Sequence, residues 1–289
     1  VIAGMPFSRL FTGFSQSRYR IGILGASVFL ICIGLPVLHP LVIVAAMFFS
    51  AWGVHELIRL ADARKYDPSH LVAIPFSILL TWLGSCDHVV FIHALPITLA
   101  ALVVMSFVTH MSVYGANGSL SSVPLTVFAT LYLGLSFGLG VHIVCYYTII
   151  ALMVILGTWA TDTGAFLVGC RCGKHKMAPT MSPKKSWEGL FGGVITCMLA
   201  CVVFRLVANR YATDGFPLDL VSTLSLGFLI SIASVIGDLG ESILKRDANI
   251  KDSGKLFGGH GGLLDRTDSL LFAFMVTYLF LSVTKHIPY

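Results

Sequence analysis

Charge is what this chain has least of. Asp, Glu, Lys and Arg make up 11% of its 289 residues, against about 25% in a soluble globular domain. That scarcity excludes a water-soluble fold. With 56% hydrophobic residues and a mean hydropathy of +0.86, the polar shell would be too thin to cover the core. A cysteine pattern is missing too. Of seven cysteines most fall inside apolar runs, Cys170 and Cys172 form C-x-C rather than C-x-x-C, and no second pair stands at metal-finger spacing. They read as small, reduced apolar residues rather than a zinc site or a disulfide framework. Internal repeats, low-complexity tracts and an extramembrane domain are equally absent. No A-x-A cleavage site follows the first apolar run, so that run is expected to be a retained span.

Long apolar runs are what the chain has in abundance. A hydrocarbon core of about 30 Å needs about 20 residues of apolar helix. Nine segments fit, at about 21–38, 40–58, 69–86, 88–108, 122–140, 142–168, 189–208, 218–241 and 269–284. The expected fold is an all-α polytopic membrane protein. About five spans fill residues 1–141, and residues 142–289 form a C-terminal transmembrane region with two charged loops. With nine spans, the N-terminus and the loops after spans two, four, six and eight share one side. That side holds 16 of the 19 Lys and Arg residues; only Arg205, Arg210 and Lys285 fall elsewhere. The positive-inside rule makes it cytoplasmic and puts the C-terminus outside, in a bacterial cell across the inner membrane. The net charge of +5 therefore follows topology and implies no nucleic-acid partner.

The remaining charge is concentrated. "KRDANIKDSGKLFGGHGGLLDRTD", Lys245 to Asp268, packs nine of the 33 charged residues into 24 positions. Just before it, Asp238, Glu241, Ser242 and Lys245 lie at i, i+3, i+4 and i+7, one face of a helix. A carboxylate at the end of a membrane span is costly unless paired or bound to a cation. Glu241 and Lys245 could equally be a solvating i,i+4 pair. Asp162, behind Thr158 and Thr161, repeats the pattern at the end of span six, where a purely packing role is the alternative. Glycines around His260 let backbone N–H groups approach an anion. Asp265 and Asp268 follow at i, i+3. Carboxylates at Asp238, Asp265 and Asp268, flanked by Lys245, Arg246, Lys251 and Lys255, suit a divalent cation carrying phosphates. A glycine turn followed by an acidic helix start explains the same letters. His260 lacks the partners of a zinc site. Ser182, Lys184, Lys185 and Glu188 in "SPKKSWEG" make an anion site at a helix start, or simply a positive-inside loop.

In register, the segment S-x-L-K-R-x4-K-D-x7-H-G-G-x-x-D-R-x-D from Ser242 to Asp268 closely resembles the signature of the CDP-diacylglycerol synthases, or phosphatidate cytidylyltransferases. "DTGAFLVG" at Asp162–Gly169 and "SPKKSWEG" at Ser182–Gly189 resemble the family's other characteristic region. The resemblance covers the last half of the chain; the first five spans match only as apolar helices. One departure is Gly258, where the family often has proline. The resemblance implies a homodimeric enzyme that condenses CTP with phosphatidic acid, releasing pyrophosphate and CDP-diacylglycerol among the membrane lipids. It implies Mg²⁺, and admits a monovalent cation such as K⁺ beside it. Carried over, Asp238, Asp265 and Asp268 hold the metal, Lys245 and Arg246 neutralise phosphate, and Ser242 makes a polar contact. Ser182, Lys184, Lys185, Lys251, His260 and Arg266 meet substrate phosphates, with Asp162 and Glu241 as further candidates. A CTP-using lipid kinase would release CDP instead of pyrophosphate. A cation-coupled transporter would place its carboxylates near mid-bilayer, which the positions of Asp162 and Asp238 at span ends disfavour.

Overall fold

A computed structural model describes residues 26–62, 64–211, 215–254, 256 and 261–286. Helix dominates. In chain order the helices are α1 (26–34), α2 (His39–Asp62), α3 (His70–Leu83), α4 (His88–Tyr114), α5 (Ser119–Thr130), α6 (Ser136–Tyr146), α7 (Thr148–Cys172), α8 (Trp187–Tyr211), α9 (Leu220–Asp247) and α10 (Leu264–Val283). A π-helical segment, Leu131–Leu135, joins α5 to α6 without a break. Among the described residues, seven helical bodies are long and apolar enough to cross a membrane. The 14 residues of α3 rise about 21 Å and fall short of that. Each expected span thus carries a helix, and the all-α membrane fold stands.

One boundary moved. The fifth span was expected to stop at 140, but the helix continues to Tyr146 and breaks at Tyr147, at φ −137° and ψ 46°. Glycine serves contact there, not a turn. A Cβ on Gly138 would overlap the Leu80 carbonyl, and one on Gly84 would overlap the Gly138 carbonyl, so α3 and α6 touch backbone to backbone. The same device builds the C-terminal bundle. A Cβ on Gly164 would collide with Thr196, one on Gly192 with Val168, and one on Gly237 with the Asp268 carbonyl. Close approach through small residues is how helices associate when lipid removes the hydrophobic drive. It brings α7 against α8 and α9 against α10.

The motif loops end as expected in helix, with one addition. Residues Lys176–Ala178 (β1) and Ser182–Ser186 (β2) pair antiparallel, Lys176 with Ser186 and Ala178 with Ser182. This hairpin was not anticipated; its signal was the extended "SPKKS" after the Pro179 turn. Arg246 donates to the Met181 carbonyl, and Arg64 to Asp247. The loops after α2, α7 and α9 therefore meet at one end of the molecule. Among the described residues, two larger apolar clusters and a small one around Leu83, Phe91 and Leu139 share the interior. One of the larger joins α7 and α8 with α9 and α10; the other sets Val54, Leu57 and Ile58 of α2 against Leu264 and Leu271 of α10.

Gly138→Val should destabilise the protein by about 2 kcal/mol through overpacking, read as a lower apparent Tm in detergent. Gly34→Ala, whose Cβ would meet only Leu152 at 3.9 Å, should leave the Tm near that of the parent.

Candidate active site

Two polar clusters stand at the end where the charged loops meet. The first surrounds a cavity of about 330 Å³ between α7, β2, α8 and α9, lined among others by Asp162, Ser182, Lys184, Lys185 and Asp238. Lys185 Nζ lies 2.8 Å from Asp238 Oδ2 and donates to the Val235 carbonyl at 3.2 Å. Lys184 is exposed at the rim. Asp268 projects from α10 with 7% exposure and accepts from its neighbour Ser269 N at 2.7 Å. Asp162, Asp238 and Asp268, from three helices, are near enough to repel one another electrostatically.

The second cluster lies along the same α9 and α10. Lys245 Nζ sits 2.6 Å from Glu241 Oε2 and 2.6 Å from Asp265 Oδ1. Glu241 is 1% exposed. The other oxygen of Asp265 accepts from Ser253 N at 2.9 Å, Ser253 Oγ at 2.9 Å and Gly262 N at 2.8 Å. Glycine is required here for two reasons. Gly261 adopts φ +86°, a left-handed conformation, and a Cβ there would press on Asp265 Oδ2 at 2.7 Å.

The structure therefore sorts the sequence candidates. Asp162, Ser182, Lys184, Lys185 and Asp238 face one cavity, with Asp268 beside it. Glu241, Lys245 and Asp265 form a buried ion-pair triad. Arg246 reaches the carbonyls of Met181 and Ile250. Lys251 and Arg266 are exposed, and Ser242 is half-buried on α9. His260 lies outside the described residues. Among the described residues, no three His, Cys, Asp or Glu side chains form a ready cluster for a metal ion, since Lys245 and Ser253 engage Asp265 while Lys185 engages Asp238. The donor chemistry still suits a hard cation. Five carboxylates (Asp162, Asp238, Glu241, Asp265, Asp268) face the ammonium groups of Lys185 and Lys245, and oxygen ligands with excess negative charge are what Mg²⁺ takes. One buried oxygen, Glu241 Oε1, has no hydrogen-bond partner among the described residues.

Comparison with known proteins fits this arrangement. The model of the cytidylyltransferase family matches residues 16–284. The chain belongs to this family. It is 30% identical over 280 residues to the phosphatidate cytidylyltransferase of Bacillus subtilis (strain 168), covering 93% of this chain and 98% of the relative. It is 33% identical over 229 residues to that of Staphylococcus aureus (strain COL), covering 75% and 82%. The phosphatidate cytidylyltransferase of Haemophilus influenzae is 45% identical over 125 residues, 41% of each chain.

In this cytidylyltransferase, three residues at the site escaped the sequence reading. Glu56 of α2 is 3% exposed and accepts from Leu263 N and Leu264 N at the start of α10. Ser253 stands between Glu56 and Asp265. Tyr132, in the π-helical segment, is 6% exposed beside Asp268 and Glu241, and its hydroxyl has no partner among the described residues. One signal was present in the sequence: a lone carboxylate in an apolar helix is suspect by default. The π segment around Tyr132, of a kind that gathers at functional sites, shows only in the structure.

Lys245→Met should destabilise the protein by about 3 kcal/mol, because it leaves Glu241 buried without its counter-charge. Adding Glu241→Gln should recover much of that loss. Apparent Tm values of the single and double variants check it; equal stability of Lys245→Met and the parent would mean that the triad contributes nothing.

Proposed function

We propose that the chain is a phosphatidate cytidylyltransferase, condensing CTP with phosphatidate to CDP-diacylglycerol and pyrophosphate. The observation that carries this reading is the cavity that places Lys184, Lys185 and Ser182 of the hairpin against Asp162 and Asp238, one helix away from Asp265 and Asp268. Cations for phosphate and carboxylates for a metal meet at one end of a membrane bundle, where a soluble nucleotide and a lipid headgroup can both arrive.

A phosphate oxygen of phosphatidate attacks the α-phosphorus of CTP. The new P–O bond forms as the bond between that phosphorus and the bridging oxygen of the β-phosphate breaks, and pyrophosphate leaves. The nucleophile is already an anion, so no proton has to be removed. The barrier is the repulsion between two polyanions, which positioning and charge neutralisation lower. Lys184 and Lys185 supply that neutralisation at the cavity. Lys251 and Arg266 are exposed cations for the outer phosphates. Lys245 holds Asp265 in place. Mg²⁺, held by carboxylates of the site, would supply further charge compensation on the phosphates during cytidylyl transfer. The carboxylates available to it are Asp238 and Asp268, with Asp162 beside them and Asp265 one turn before Asp268 on α10.

The reading includes a cytoplasmic site in a bacterial inner membrane, supported by the 16 of 19 Lys and Arg residues assigned to that side. A homodimer is part of it as well; the apolar outer face of α8, with Phe191, Ile195 and Leu199 exposed, is open to a second copy or to lipid.

Purified protein given labelled CTP, phosphatidate and Mg²⁺ should yield lipid-borne cytidine and pyrophosphate, and chelation of the metal should stop it. Release of CDP instead would make the protein a kinase. Asp265→Asn should lower turnover about a hundredfold or more with an unchanged elution profile. In a variant retaining only Cys170 and Cys172, both exposed at the end of α7, an impermeant maleimide should label inverted vesicles and spare intact cells. The opposite pattern would reverse the topology.

A further inference from the structure

Glu56 lies on α2, in the half of the chain whose spans carry no recognisable motif, yet it reaches the motif strip. It is almost fully buried, at 3% exposure. Its Oε2 accepts from Leu263 N at 2.8 Å and Leu264 N at 3.1 Å. These are amides of the first turn of α10, which have no partner inside their own helix. Leu263, at the capping position, cannot serve them. A carboxylate from another helix therefore caps α10 where the helix dipole favours negative charge. Glu56 Oε1 accepts from Trp52 Nε1 at 3.1 Å, which fixes the carboxylate's plane from the other side.

Glu56 Oε2, the oxygen that caps α10, also lies 3.3 Å from Ser253 Oγ, whose hydroxyl is 2.9 Å from Asp265 Oδ2. One hydroxyl proton is shared between two carboxylates, so the position of one sets that of the other. The strip is cut to fit this group. A Cβ on Gly254 would overlap Glu56 Oε1, and a Cβ on Gly262 would lie 2.5 Å from Glu56 Oε2. Beyond the end of α2 at Asp62, the guanidinium of Arg64 pairs with Asp247 at 2.9 Å at the end of α9. The first and second halves are thus tied at both ends of the strip.

We infer that Glu56 is a positioning residue for the active site: it caps α10 and holds Ser253 against Asp265, and so sets where Asp265 and Asp268 project. This rests on the cytidylyltransferase reading for its kinetic part. Glu56→Gln keeps the size and removes the charge. The expected result is a fall in kcat/KM for CTP of about tenfold or more, with a raised Mg²⁺ requirement, as when a residue supporting a metal ligand is lost. Backbone amide exchange should accelerate across 253–268 and stay unchanged across 220–240. Ser253→Ala should shift the Mg²⁺ requirement the same way, and the double variant should be no worse than the poorer single one. A folded Glu56→Gln with parental Mg²⁺ requirement and parental exchange overturns the inference, as do losses that multiply in the double variant. If Glu56→Gln does not fold, Ser253→Ala decides alone: a parental Mg²⁺ requirement there overturns it. If the parent protein transfers no cytidine to lipid, the proposed function fails, while exchange across 253–268 still tests the cap.

Discussion

The ammonium group of Lys245 lies between a carboxylate of its own helix and one from α10, each 2.6 Å away. In a chain with so few charges this contact fixes the relation between the two helices that carry the site. Breaking it would strand Glu241, which is buried to 1% exposure, and an unpaired charge at that depth is among the most expensive defects a protein can hold. Charge thus adds to the apolar packing that α9 and α10 share in holding the two helices in one register. Close glycine contact permits that register. Gly237 lets α9 approach the Asp268 carbonyl, and so Asp238 and Asp268 come to face the same space.

Excess negative charge is the consequence. Pairing Lys245 with two carboxylates and Lys185 with Asp238 leaves Asp162 and Asp268 without an ammonium partner of comparable closeness among the described residues. Mutual repulsion of this kind is tolerated where a cation or a cationic complex binds, and it makes binding of that cation favourable in advance. The apparent disorder of roles, structural pair here and ligand there, is then one electrostatic arrangement. Some carboxylates are compensated internally to hold the frame, and under the proposed reading the others would be compensated by a bound cation.

Much of this was legible in the letters. Composition and the length of apolar runs located every helical body, because a bilayer imposes a length and a polarity that few other environments do. The charged strip was legible for the same reason: against an apolar background, Asp238, Lys185 and Asp265 stand out. Boundaries were not. Glycine at Gly138 and Gly140 marks a turn in water and a helix contact in lipid, and the letter is identical. The hairpin was missed because its strands are short, and the letters gave no sign that Arg246 reaches the carbonyls of Met181 and Ile250. Glu56 was passed over since the surrounding helix matches nothing beyond a generic span.

The glycine-rich strip shows most clearly how right physics can attach to a different object. Glycines there were read as freeing backbone N–H groups to approach an anion. Among the described residues the anions met by backbone amides of the strip are the protein's own: Ser253 N and Gly262 N point at Asp265, while Leu263 N and Leu264 N point at Glu56. A donor already satisfied by an internal carboxylate has little left to offer a phosphate, since each N–H makes one strong hydrogen bond. Under the proposed reading, the lysines of β2 and the exposed side chains of Lys251 and Arg266 would then meet the substrate phosphates, while these backbone donors position the acids.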